Sequence, residues 1–318
     1  MPSRIVVAGV TSLYMSLGVT EFPVGDQPAR SPAWLRAGVA GAGHHIARIL
    51  HTLGNEVSLC TIVGRDRPGD LIRAELLAEG LLGPGTIEGP TSSLGVVLVA
   101  SDGRRVGYPG LAAVNSVAYP ADVFLRHARG ADLAVLTNTR FTRPLLKQAR
   151  QLGIPIAVDV HLIADIGDAY NRPWLEVADI VFASHERLPC SPAHWVGQVF
   201  DRYPGCTVAG VGCGGDGCVL GLRDGRLVRV AAVAPRGVVS TAGAGDTLFA
   251  SFLHSWLATG NPVRAVERAA LYAGWKIGDS FPGAAMLTEQ ELSTLEAVCQ
   301  IRATVGRWDT ASRSAVRS

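Results

Sequence analysis

Short apolar runs rich in valine and isoleucine recur along the chain and alternate with stretches whose apolar residues repeat at helical spacing. The runs 5–8, 57–63, 133–137, 156–159, 180–183, 207–211, 218–222 and 227–232 are short and β-branched, as strands are. After Gly43, the residues Ile46, Ile49, Leu50 and Leu53 fall at i, i+3, i+4 and i+7, one stripe of a helix. Leu71, Ile72 and Leu76 mark a second helix after Pro68, and Phe249, Phe252, Leu253, Trp256 and Leu257 a third after Asp246. A fourth is expected from about 262 to 277. The last opens at Thr288 and Glu291, the spacing of a capping box, with Leu292, Leu295 and Cys299 facing inward. Strands alternating with helices predict an α/β fold, a mostly parallel sheet with helices on both faces.

Two stretches break this rhythm. Residues 94–108 read as a hairpin: 95–99, a turn at Ser101-Asp102-Gly103, then 104–108. Residues 11–37 lack helical periodicity and carry Pro23, Pro28 and Pro32. Together they are expected to form a small β-layer at the sheet edge, a natural lid over a site at the strand ends. The predicted organisation is one domain over 1–302, with lid segments at about 11–37 and 94–112. A polar tail, 303–318, is expected to be disordered.

Composition narrows the function. Glycine supplies 37 of 318 residues without a three-residue period, which excludes collagen-like chains. A net charge of +2 gives no field for nucleic acid. No uncharged apolar run nears the roughly 18 residues of a membrane span. The six cysteines form no C-x-x-C and no secretory leader is visible, so reduced thiols in a cytoplasmic protein are expected.

The sharpest chemistry lies at 238–249. An apolar strand end meets Gly243-Ala244-Gly245, and an amphipathic helix follows at once. Small residues let backbone N–H groups converge where the helix dipole is positive, which makes an anion hole. Asp246 has two readings there: a plain first-turn carboxylate that stabilises the helix, or a general base beside bound phosphate. A second cluster, Gly210 to Gly217, contains G-x-G-x-x-G twice, but a hairpin follows it where a dinucleotide site needs a helix. A Walker A loop is excluded: Lys147 and Lys276 are the only lysines, and neither stands before Ser or Thr.

These residues resemble the ribokinase-like carbohydrate kinases of the phosphofructokinase-B type. The stretch 240–246 is similar to that family's D-T-x-G-A-G-D, with Ser240 in place of the first Asp. Residues 40–45 resemble its G-G-x-x-x-N block, and 63–69 its V-G-x-D-x-x-G. Tyr108-Pro109-Gly110, running on to Asn115, resembles its Y-P-G-A-N segment. The resemblance covers about 4–300 and implies a three-layer α/β/α fold with a small β lid. It further implies ATP and Mg²⁺ as cofactors, and it leaves room for a monovalent cation. On this resemblance Asp246 is the base and Gly243, Ala244 and Gly245 the anion hole. Ser184, Gly212, Gly214, Gly217 and Thr241 fall on the ATP side, Gly214 and Gly217 matching a family G-x-x-G. A homodimer through the lid rests on the same analogy.

Three departures bear on the substrate. The family's sugar-binding Asp after the first strand is Tyr14 here, and the Asn of the G-G-x-x-x-N block is His45. Tyr14, Gly41, His45, Arg104 and Asn115 are therefore the expected substrate contacts, although a histidine near a helix start also serves structure alone. The family's N-x-x-E becomes Ser184-His185-Glu186-Arg187. Glu186 either substitutes for the glutamate from one residue early or faces solvent. Asp159 resembles the Asp of the family's D-P-N, or else is a strand-end carboxylate fixing a turn. The expected activity is ATP-dependent phosphoryl transfer to a hydroxyl of a sugar-like or nucleoside substrate. The rival is a ligand-binding protein of the same fold that has lost turnover.

Overall fold

The computed structural model describes residues 2–26, 29–101, 104–280 and 285–308. Fourteen strands are assigned among them: β1 (Arg4–Ala8), β2 (Ser12–Val19), β3 (Leu35–Ala40), β4 (Glu56–Gly64), β5 (Thr86–Gly89), β6 (Ser93–Ala100) and β7 (Arg105–Gly110). The remainder are β8 (Leu133–Leu136), β9 (Ile156–Leu162), β10 (Ile180–Ser184), β11 (Val208–Gly212), β12 (Cys218–Leu222), β13 (Arg226–Val230) and β14 (Thr304–Arg307). The helices are α1 (Ala42–Thr52), α2 (Arg67–Ala78), α3 (Ala112–Asn115), α4 (Ala121–Ala128), α5 (Arg143–Gln151), α6 (Arg172–Leu175), α7 (Pro192–Arg202), α8 (Ala244–Thr259), α9 (Pro262–Lys276) and α10 (Glu289–Val298).

Ten strands make one sheet in the order β14-β13-β12-β11-β10-β9-β8-β1-β4-β5. From β5 to β11 all neighbours run parallel, and β12, β13 and β14 close the far edge antiparallel. The central strands are buried on both faces, which explains their unbroken apolar runs. On one face Phe124, Leu145, Trp174, Trp195 and Phe200 pack α4 to α7 against the sheet. On the other, Ile46, Ile72, Phe249, Phe252, Tyr272 and Leu292 do the same for α1, α2, α8, α9 and α10. The capping box of α10 forms with both of its bonds. No helix among the described residues is long and apolar enough to cross a membrane.

One expectation is corrected at the C-terminus. Residues 304–307, assigned to a disordered tail on polarity, pair with β13 from Thr304↔Arg229 to Arg307↔Arg226. Trp308 then donates to the Leu222 carbonyl at 2.7 Å, and its ring lies 5.1 Å from that of Phe200. Without β14, β13 would expose a row of unpaired backbone groups, and a polar strand suits such an edge. The rest of the expected tail, 309–318, lies outside the described residues, as do Asp102 and Gly103 of the expected hairpin turn.

The second sheet, β3-β2-β6-β7, is woven from two separate chain segments. Strand β2 pairs antiparallel with β3 and parallel with β6, which forms the hairpin with β7. The register places Tyr14 beside Gly95, Val97 opposite Gly107 and Val99 opposite Arg105, so one face carries Tyr14, Val97, Arg105 and Gly107. The chain passes between the two sheets at four places: after β1, before α1, after β5 and before α3. The third crossing is pinned by Asp66, whose carboxylate accepts from Ser92 N at 2.8 Å and from Ser92 Oγ at 2.6 Å.

Candidate active site

Between the two sheets lies a cavity of about 160 Å³, lined by Tyr14, Gly41, Ala42, His45, Val97, Arg105, Gly107, Ala242, Gly243 and Asp246. Residues more than 200 positions apart in sequence are gathered because α1 and α8 both begin at this end of the sheet. Gly43 of α1 packs so tightly on β1 that a Cβ on Gly9 would sit 2.7 Å from the Gly43 Cα. Gly41 precedes α1 with φ of +108°, a conformation that favours glycine.

Helix α8 begins earlier than its pattern suggests, at Ala244 rather than after Asp246, with Gly243 as its cap at φ of +77°. The Ala244 N–H turns inward to the Thr241 carbonyl at 3.2 Å. That amide, one of those expected in the anion hole, is thereby occupied, whereas the N–H groups of Gly245 and Asp246 find no partner inside the helix. Gly245 has an ordinary φ, and nothing lies within 4 Å of where its Cβ would be. The protein's own packing gives no reason for a glycine there.

Asp246 stands half-buried in the first turn, with Oδ1 shielded from solvent and without a hydrogen-bond partner among the described residues. Burial lifts its carboxyl; His161 draws it back, Asp159 raises it, and Lys276 and Arg105 lower it, leaving it at about 6. Lys276 ends α9 wholly buried, and its ammonium donates to the Ala242 carbonyl. Burial brings it down to about 8, against the opposing pull of Asp246 and Asp279.

Asp159 is buried, and its carboxylate accepts from His161 N at 2.8 Å and lies 3.5 Å from His161 Nδ1. The expected strand end at Asp159 is corrected: β9 runs on to Leu162, with a register irregularity against β10. Among the described residues His161 is the one non-glycine with positive φ, at 54°. One ligand-type atom each from Asp159, His161 and Asp246 falls within 4.8 Å of the others. Burial works against the His161 imidazolium, but the two carboxylates outweigh it and raise its pKa.

His45 is buried, and its Nε2 lies 3.3 Å from Thr247 Oγ1. Thr247 gives its own proton to the Gly243 carbonyl at 2.8 Å, so it accepts from His45. Burial, and then the charge of Lys276, hold His45 well below the usual imidazole range, so it is a neutral donor at pH 7. Tyr14 lies with its ring across Gly95, and burial raises its hydroxyl pKa.

Of the expected substrate contacts, Tyr14, Gly41 and His45 line the cavity, whereas Arg104 and Asn115 do not. Arg104 lies over the Phe22 ring at 5.9 Å, and the strand alternation turns its neighbour Arg105 inward instead. Asn115 sits on α3 with a buried Oδ1 that has no partner among the described residues. On the opposite flank, His185 Nδ1 meets the Gly212 carbonyl at 3.0 Å and its ring lies against Gly214. Ser184 Oγ accepts from Glu186 N at 3.4 Å. Gly217, at φ of +92°, sits so close to the chain after β13 that its glycine is accounted for by the hairpin alone. Sequence reasoning missed Lys276, Arg105 and His161. A lysine inside the apolar end of a helix was the available signal for the first, and strand alternation for the second.

The mostly parallel sheet, the second small sheet and a cavity at the helix N-termini define a ribokinase-like fold. A solved structure of a microbiome-derived acarbose kinase superposes with a TM-score of 0.82 at 21% identity, covering 93% of this chain and 100% of that one. The chain belongs to the pfkB family of carbohydrate kinases, whose family model matches residues 3–288. It is 29% identical over 292 residues to the ATP-dependent ribose-1-phosphate kinase of Halopiger xanaduensis, covering 88% of this chain and 95% of that protein. It is likewise 29% identical over 260 residues to the acarbose 7(IV)-phosphotransferase of an Actinoplanes species, covering 80% and 85%. The enzyme is a small-molecule kinase.

Proposed function

We propose that this kinase moves the γ-phosphoryl group of ATP onto a primary hydroxyl of a sugar-like substrate, with Asp246 as general base. The observation that carries the reading is the unpartnered Oδ1 of Asp246, set at the mouth of an anion-binding helix terminus and lining the cavity. The substrate hydroxyl gives its proton to Asp246 as its oxygen attacks the γ-phosphorus. The bond from that phosphorus to the β–γ bridging oxygen breaks, and ADP leaves. The Gly245 and Asp246 amides, with Gly243 shaping the turn, take the charge on the transferring oxygens.

Tyr14, Gly41 and His45 would hold the acceptor, with one phenol and one neutral imidazole where relatives of the usual pattern present a carboxylate and an amide. That pairing disfavours a free ribose or fructose held by two hydroxyls. It suits a sugar already substituted, as a phosphate or glycoside, or a nucleoside base against the Tyr14 ring. The curated relatives named above act on a sugar phosphate and on a glycoside, which supports the former. Ser184, Gly212, Gly214 and Thr241 would flank ATP.

Mg²⁺ calls for hard oxygen donors. Asp159 and Glu186 supply carboxylates on that flank, but Asp159 is engaged with His161 and Glu186 lies 4.0 Å from Arg105, so both fit holding the ion through its waters. The ion would neutralise phosphate charge. The small sheet would act as a lid. Its outer face bears exposed Met15, Leu35, Leu94 and Tyr108, an apolar panel suited to a second copy of the chain. A cytoplasmic setting follows from the need for ATP.

The test is an ADP-release screen over sugars, sugar phosphates, glycosides and nucleosides, run beside Asp246→Asn, with oligomeric state read by sedimentation. ATP binding without turnover on any acceptor would overturn the kinase reading in favour of a binding protein.

A further inference from the structure

The cavity holds one fully charged cation among its described lining residues, and it comes from the small sheet rather than from the phosphate-binding loop. Arg105, the first residue of β7, reaches across to the main body. Its Nη1 donates to Thr241 Oγ1 at 2.8 Å, and its Nη2 lies 4.0 Å from Glu186 Oε1. Thr241 stands two residues before the cap of α8, so the guanidinium rests on the rim of the anion hole. Its charge acts on both Asp246 and Lys276.

The resting partners are weak ones. A neutral hydroxyl and an exposed carboxylate at the limit of ion-pair reach use little of a guanidinium with five donors. The other cations are committed elsewhere or neutral. Lys276 is buried on the Ala242 carbonyl, His45 is uncharged, and no P-loop lysine exists in the chain. A phosphoryl group gathering charge on its equatorial oxygens at the Gly245 amides would offer a stronger partner than either present one.

We propose that Arg105 is a catalytic residue delivered by the small sheet, whose guanidinium leaves Thr241 and Glu186 to grip an oxygen of the transferring phosphoryl group. This rests on the kinase reading above. It adds that closure of the small sheet completes the charge complement of the transition state.

The test uses the full chain with Arg105→Ala and Arg105→Lys, each checked for an unchanged melting transition. With an acceptor that the wild type turns over and Asp246→Asn does not, Arg105→Ala is expected to lose on the order of 10²–10³ in kcat, the size of one lost oxyanion donor. ATP affinity by calorimetry is expected to stay within about threefold, because the contact forms only in the transition state. The affinity for ADP with aluminium fluoride and acceptor, a transition-state mimic, is expected to fall by a factor comparable to kcat. Arg105→Lys keeps the charge without the fork and is expected to fall between, and added guanidinium to restore part of the Arg105→Ala rate. Loss confined to acceptor KM, or an unchanged affinity for the aluminium fluoride complex, would overturn the proposal and leave Arg105 a latch or substrate contact. Absence of wild-type turnover on every acceptor would instead count against the kinase reading itself.

Discussion

Burial shifts both Asp246 and Lys276 toward their neutral forms, and each charge pulls the other part of the way back across the interface of α8 and α9. The wholly buried ammonium, which grips the Ala242 carbonyl, helps hold the Asp246 carboxyl down, and that carboxylate helps hold the ammonium up. Asp246 settles at about 6 and Lys276 at about 8. A base must be unprotonated, so kcat/KM is expected to rise with pH through about 6. Lys276→Met removes the cation and is expected to move this acid limb upward, as read from pH–rate profiles of the two enzymes. A limb that stays in place would show that another group governs it.

Asp246→Asn keeps shape and polarity but cannot take a proton. Turnover is expected to drop on the order of 10²–10⁴, the usual worth of a positioned base, while ATP still binds. Coupled ADP-release kinetics and calorimetry separate the two effects. Retention of near wild-type kcat would leave Asp246 with its helix-stabilising role alone.

Gly245 allows a sharper separation of folding from function. Its φ is ordinary and its surroundings are empty, so Gly245→Ala is expected to raise stability by about 0.4–1 kcal/mol through the unfolded chain. The added methyl enters the space assigned to phosphate, so activity is expected to fall at least tenfold. Thermal melts and initial rates decide. A variant that gains stability and keeps its activity would mean that phosphate does not approach this amide.

Much of this arrangement was legible before any coordinates. Strand positions such as 218–222, the stripe of α8 and the capping box of α10 follow from local pattern, because their partners lie within a few residues or along an unbroken apolar run. The short helices α4, α5 and α7 went unread, although Ser191 before Pro192 caps the last of them. Strand β14 carries no apolar signal and exists only because β13 needs a neighbour. Lys276 was read for its absence from a P-loop, not for where it lies. Thirty residues separate it from Asp246, and only the packing of α9 on α8 makes them a pair. The inward turn of Ala244 went unread as well, since it depends on a backbone bond to Thr241.

Substrate choice can be moved at two positions. Tyr14→Asp together with His45→Asn restores the carboxylate and amide of the usual sugar grip. The double variant is expected to shift the kcat/KM ratio toward an unsubstituted sugar by about tenfold or more, the scale of one charge-assisted hydrogen bond. Competition between a free sugar and its phosphate or glycoside gives the ratio directly. No change in the ratio would put both side chains outside the acceptor's reach.

The weaving of the small sheet from two chain segments has a mechanical consequence. A flap made of one hairpin swings on a single stem, but this panel is mounted on four backbone pins, with the parallel β2–β6 pair locking the halves together. Any swing would have to turn all four at once, so the panel would move as a rigid board with few intermediate positions. Two of the pins lie beside Tyr14 and at Gly41, and a third is fastened by Asp66 to Ser92. An acceptor that touches Tyr14 and Gly41 would therefore press on the mountings themselves, and Arg105, at the end of β7 away from its own mounting, would move with the panel.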